Sequence, residues 1–203
     1  MYLTQFKVKP RYYLTRFDVN RIAAWDKAEN LKISAFGKLK IFNKPHPEDI
    51  ICTEFKKYFD PYLVIEGVRK IARRPTNNQN PQVDGDSKGF LEEKVILHLD
   101  KTGRIVDKGF GDITELSKTF YEEHRDEFLQ LEISLEKAAE IFKGHFAGKE
   151  RRGASSVNQL PIVSEINVVF VSVYLVKYEW RKVGATKIIK IAGHTGKCDV
   201  YNL

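Results

Sequence analysis

The chain has 203 residues, 42% of them hydrophobic, with 34 Lys and Arg against 27 Asp and Glu and a formal net charge of +7 at pH 7. That length and apolar share suffice for one domain or two small ones, and an aromatic content of 12% excludes a disordered chain. The best apolar run, Val168 to Val176, falls well short of the roughly 18–20 residues of a membrane helix, so membrane insertion is not expected.

The N-terminus reads Met1-Tyr-Leu-Thr-Gln-Phe-Lys-Val-Lys and offers no basic-then-apolar signal region. Cys52 and Cys198 suggest no disulfide framework, so a reducing, cytoplasmic location is expected.

Taken in chain order, Tyr13, Thr15 and Phe17 alternate as a strand, Asp18 is placed to cap, and Val19, Ile22, Ala23 and Trp25 follow helical spacing. Pro45-His46-Pro47 breaks this pattern. Tyr62 to Ile71 and Lys94 to Leu99, rich in β-branched residues, predict two strands, with Asp100 to Arg104 as a turn. The Pro-, Asn- and Gly-rich stretch from Ala72 to Glu93 predicts a loop. Asp112-x-x-Glu115 has the spacing of a capping box and predicts a helix through Leu116 and Phe120, ending near Glu127.

Leu129, Leu131 and Ile133 alternate again, Ser134 is placed to cap, and Leu135, Ala138, Ala139 and Phe142 follow helical spacing. A break at Gly148 to Ser156 precedes a long strand from Ile166 to Val183, a return over Lys187 to Ala192 and a last strand over Cys198 to Tyr201. The unbroken apolar residues Val168-Val169-Phe170-Val171 predict burial on both faces.

The order of elements repeats. Tyr62-Leu63-Val64 recurs as Tyr174-Leu175-Val176 and Arg69-Lys70 as Arg181-Lys182, both 112 residues on. Lys94-Val95-Ile96 answers Lys187-Ile188-Ile189 and Thr102-Gly103 answers Thr195-Gly196, both 93 residues on. The 19-residue difference falls in the predicted loop, where insertions cost little. The expected class is therefore α+β: two similar strand-helix-strand-strand units, an internal duplication, with antiparallel sheet and helices on one face. The expected boundaries are 1–110 for the first unit, 111–127 for a connecting helix and 128–203 for the second.

Few residues are arranged for catalysis. Among the five His, only His194 stands four residues from a Cys, Cys198, and no second pair completes a metal site. Asp84-Gly85-Asp86-Ser87-Lys88-Gly89 imitates a calcium loop but has Lys88 and Val95 where ligands are required. Asp84 or Asp86 with Glu92 and Lys94 supplies the parts of a metal-dependent nuclease, yet the pattern is unspecific and a solvated loop is the plainer reading. Gly193-His194-Thr195-Gly196-Lys197 lacks the spacing of a phosphate loop. No metal, cofactor or enzymatic role is expected.

Nucleic-acid binding has more physical support. Basic residues stand at matched positions, Arg69-Lys70 and Arg181-Lys182, with Arg73-Arg74 following the first pair and Lys149, Arg151 and Arg152 in a Gly- and Ser-rich stretch. Cationic loops neutralise phosphates and exposed aromatics stack bases, which points to DNA or RNA. The plainer alternative is that these cations protect sheet edges. The competing function is a protein-interaction or assembly module, through strand addition or a homodimer.

The doubled Tyr-Leu-Val, Arg-Lys and Thr-Gly blocks, in a Lys- and Glu-rich chain with one Met and two Cys, resemble uncharacterised proteins of plasmids and integrated elements of hyperthermophilic archaea. That resemblance implies a heat-stable intracellular accessory factor linked to DNA maintenance or transfer. It transfers no catalytic residue.

Overall fold

A computed structural model of the protein describes residues 8–37, 45–72, 90–147 and 160–202. The class is α+β. Seven strands lie among the described residues: β1 (Arg11–Thr15), β2 (Ile50–Ala72), β3 (Phe90–Leu99), β4 (Ile113–Glu115), β5 (Ile162–Trp180), β6 (Ala185–Ala192) and β7 (Cys198–Asn202). Three helices accompany them: α1 (Arg21–Gly37), α2 (Lys118–Glu123) and α3 (Leu135–Ala147). The sheet runs β3-β2-β5-β1-β4, with β6 paired to β5 and β7 to β6. The pairings β1–β4, β2–β3, β5–β6 and β6–β7 are antiparallel.

The chain forms two compact units, each drawing on three separate stretches. The first comprises Met1–Arg11, Tyr62–Lys108 and Leu131–Val168; the second comprises Tyr12–Pro61, Gly109–Gln130 and Val169–Leu203.

In the first unit, β2 and β3 pair in a ladder from Leu63 opposite Leu99 to Ala72 opposite Phe90. Directly opposed residues share a face. Leu63 and Ile65 with Leu97 and Leu99 make the buried face, and Ala138, Ala139 and Phe142 of α3 are buried too. Gly67 lies on that same face, where an added Cβ would sit 2.7 Å from Cζ of Phe142. The β3 turn is held by Asp100, whose Oδ1 accepts from the amides of Thr102 (2.9 Å) and Arg104 (3.0 Å) and from the Thr102 hydroxyl.

In the second unit the core joins α1 to the even-numbered residues of β5. Ala24, Ala28 and Phe36 are fully buried against Tyr174, Val176, Tyr178, Trp180, Ile189 and Ile191. The two alanines let the helix axis approach the sheet, and Phe36 meets Trp180 edge-on at 6.1 Å. Tyr178 donates its hydroxyl to Glu29 at 2.8 Å, and Tyr174 donates to the Val19 carbonyl at 3.2 Å. Burial and then the Glu29 carboxylate push the Tyr178 phenol far above its ordinary pKa. As the apolar run predicts, Val168, Val169, Phe170 and Val171 are all buried.

Several elements differ from the sequence reading. Asp112-x-x-Glu115 opens no helix: Ile113–Glu115 is β4, held to β1 with Tyr13 opposite Glu115, and backbone bonds Arg16 N to Asp112 O and Leu116 N to Tyr12 O extend the pairing. The helix begins later, where Ser117 Oγ accepts from Phe120 N at 3.1 Å. The cap of α1 is Asn20, directly before Arg21; its Oδ1 accepts from Ala23 N at 2.9 Å, and the Asp18 amide is tied to Gly193 O instead. Residues 129–133 form no strand; Leu129 N bonds to Phe59 O and Glu132 N to Lys101 O singly rather than in a ladder. β2 begins at Ile50, twelve residues before the expected start. Ser134 caps α3 as expected, its Oγ accepting from Lys137 N at 3.2 Å.

Candidate nucleic-acid interface

Arg69 and Lys70 stand near the end of β2 in the first unit. The antiparallel register sets them opposite Glu93 and Glu92 of β3. Arg69 pairs with Glu93, Lys70 lies 4.0 Å from Glu92, and Lys94 pairs with Glu66 one step further along. The hydrogen bond and charge of Glu66 raise the Lys94 pKa above its ordinary value. These cations thus sit in a cross-strand charge ladder that helps to fix register on an edge strand. The sequence names Glu92 only as part of a nuclease pattern and Glu93 not at all, although the register that opposes Leu63 to Leu99 makes both of them partners. Exposed pairs of this kind contribute about 0–1 kcal/mol, so a phosphate can compete for either cation at little cost.

The end of the ladder has a further property. The Arg69 guanidinium lies 6.0 Å from the Phe146 ring centre, one residue before the end of α3. Ala72 pairs with Phe90 at the end of the ladder, and the Ile162 carbonyl, at the start of β5, closes on Gly67. The stretches 73–89 and 148–159 carry the remaining basic residues of this group in the sequence. Arg73, Arg74, Lys149, Arg151 and Arg152 belong to those stretches and lie outside the described residues.

The second basic pair lies in the second unit, in the turn between β5 and β6. Trp180 O accepts from Val183 N and Gly184 N, and Gly184 takes a φ of +66°, where a side chain would be strained. Lys182 pairs with Asp49 at 2.8 Å, and the Arg181 amide bonds to the Asp49 carbonyl at 3.2 Å. The Arg181 side chain is exposed. Asp49, which the sequence groups only with His46 and Glu48 in a Pro-flanked loop, closes a 3-10 turn over Pro47–Asp49.

The other motifs resolve into local structure. Glu92 and Lys94, offered above as parts of a nuclease centre, are partners in the charge ladder, while Asp84 and Asp86 lie outside the described residues. Among the described residues no group of three His, Cys, Asp or Glu is placed to hold a metal ion. Gly193-His194-Thr195-Gly196 is the connection from β6 to β7. Its Gly193 amide bonds to Ser172 O at 2.8 Å and its Gly193 carbonyl accepts from Asp18 and Val19, so these backbone groups serve the fold. No helix among the described residues is long and apolar enough to cross a membrane. Comparison with protein-family models, with curated proteins and with solved structures returns no match.

Proposed function

We propose that the protein is a non-enzymatic accessory factor that binds DNA or RNA through its basic segments. The observation that carries this reading is the distribution of charge. Of the 34 basic and 27 acidic residues, 24 of each lie among the described residues, which are therefore neutral overall. The remaining 10 basic and 3 acidic residues supply the whole +7, and they fall in the stretches 1–7, 38–44, 73–89 and 148–159. Excess cations concentrated in a few short stretches of the sequence suit a polyanion bound at its phosphates and read little at its bases. In this reading Arg69 and Lys70 act together with Arg73, Arg74, Lys149, Arg151 and Arg152, which lie outside the described residues. Arg181 and Lys182 form a second, smaller group.

The setting in a mobile genetic element rests on the resemblance stated above and is part of the same proposal. So is the doubled ancestry. Its support is that α1 is followed by a long strand and a shorter return, β2 and β3, just as α3 is followed by β5 and β6.

The test is fluorescence anisotropy with labelled duplex and single strands at two salt concentrations. Changing Arg73, Arg74, Arg151 and Arg152 to Ala is expected to weaken binding about tenfold or more. The slope of log affinity against log salt should flatten by about 0.9 for each duplex phosphate that the variant no longer neutralises. Unchanged affinity and slope would remove these residues from the interface.

A further inference from the structure

The sheet has three edges among the described residues, and they are not equivalent. β3 presents Glu92, Glu93 and Lys94 in succession, a run of charge that discourages strand addition. β4 is three residues long. β7 pairs only with β6, carries a single charged residue, Asp199, and leaves Val200 and Tyr201 exposed.

The hydrogen-bond phase of β7 follows from its register. Ala192 N bonds to Lys197 O at 2.9 Å, and Ile191 faces Cys198. In an antiparallel ladder the hydrogen-bonded pairs alternate, so Asp199 opposite Lys190 and Tyr201 opposite Ile188 direct their backbone groups at β6. Cys198, Val200 and Asn202 consequently direct their N–H and C=O groups outward, where a strand could accept them.

We infer that β7 is a homodimer edge, at which the β7 of a second copy adds antiparallel about a two-fold axis through Val200. The sequence Cys-Asp-Val-Tyr-Asn is self-complementary in that one register. Val200 then faces Val200 of the second copy, and Cys198 faces Asn202 in both directions, so every outward backbone group finds a partner. On the other face, which Val200 does not share, Tyr201 comes opposite Asp199 of the second copy, a phenol donor against a carboxylate acceptor, twice by symmetry. A second copy satisfies all of these at once, which an unrelated strand would do only by coincidence. Five residues form a small interface, so the expected affinity is in the micromolar to millimolar range.

Sedimentation velocity of the full chain across that range tests the inference. A concentration-dependent monomer–dimer equilibrium is expected, and a strict monomer up to about 1 mM overturns it. Val200→Pro removes an outward N–H and leaves the β6 ladder intact, so it should weaken the dimer about tenfold or more. Dimerisation unchanged in a folded Val200→Pro protein overturns the proposal. Amide exchange on the unmodified chain gives a readout that needs no variant. The amides of Cys198, Val200 and Asn202 should become protected as concentration rises, while those of Asp199 and Tyr201, already bonded to β6, change little. Concentration-independent exchange at the three outward amides, or a dimer that protects residues elsewhere instead, also overturns it.

Discussion

A methyl group added at Gly67 would lie 2.5 Å from the carbonyl oxygen of Ile162 and 2.7 Å from Cζ of Phe142. The carbonyl belongs to β5 backbone and cannot yield like a side-chain tip. Gly67 is therefore required by packing, at a point where helix and neighbouring strand both close on β2. Gly67→Ala is expected to destabilise the protein by about 1–3 kcal/mol, the usual cost of overpacking, seen as a lower midpoint in urea unfolding. Gly144 is the control, since nothing outside its own helix lies within 4 Å of an added Cβ. There Gly144→Ala should stabilise by about 0.5–1 kcal/mol through helix propensity. Equal effects at the two sites would show that the close approach at Gly67 relaxes freely.

At the scale of elements, β2 and β3 are legible in the sequence because their residues are β-branched, and the turn after β3 because its residues are chemically specific. Asp100 accepts three hydrogen bonds, and no other residue type at that position does this as well. Asp112 to Glu115 misleads because a capping-box spacing describes local options only. The open edge of β1 offers backbone partners to the same residues, and strand pairing wins. The start of β2 is hidden for a related reason. Lys56 and Lys57 interrupt its apolar alternation, although the Lys57 ammonium lies over the rings of Phe17 and Phe59. The basic pair Arg69-Lys70 is visible in the sequence, but its neutralisation is not, because Glu92 and Glu93 become partners only through register. Replacing both with Gln separates the two roles. Stability should fall by no more than about 1 kcal/mol, as befits exposed pairs. Nucleic-acid affinity should rise and its salt slope steepen, because two cations are released for phosphates. Anisotropy titrations alongside urea unfolding would read both; a large drop in stability with unchanged binding would assign these residues to the sheet alone.

At the scale of the whole molecule, the chain's order and its folding units disagree in an instructive way. The short identities run along the sequence, yet each compact unit takes residues from both halves. The helix of the first half, α1, packs with β5 and β6 of the second, and Phe142 of the later helix, α3, sits on Gly67 of β2. If the halves descend from one ancestor, their helices have been exchanged, and no pattern of short identities could reveal that, since periodicity records which face of a helix is apolar and not which sheet it covers. The exchange has a consequence for folding. A fragment spanning 1–110 contains α1 without Tyr174, Val176, Tyr178 and Trp180, and contains the β2–β3 hairpin without α3. Each apolar face would be left in water, and burial is what offsets the entropy of ordering the chain. Fragments 1–110 and 111–203 should therefore each show little fixed structure by circular dichroism and lack a cooperative thermal transition. Mixed in equal amounts, they should regain one, because every core then has its complement. A fragment 1–110 that melts cooperatively by itself would mean that the first half holds its own core, and that the interleaving of segments is not what stabilises this protein.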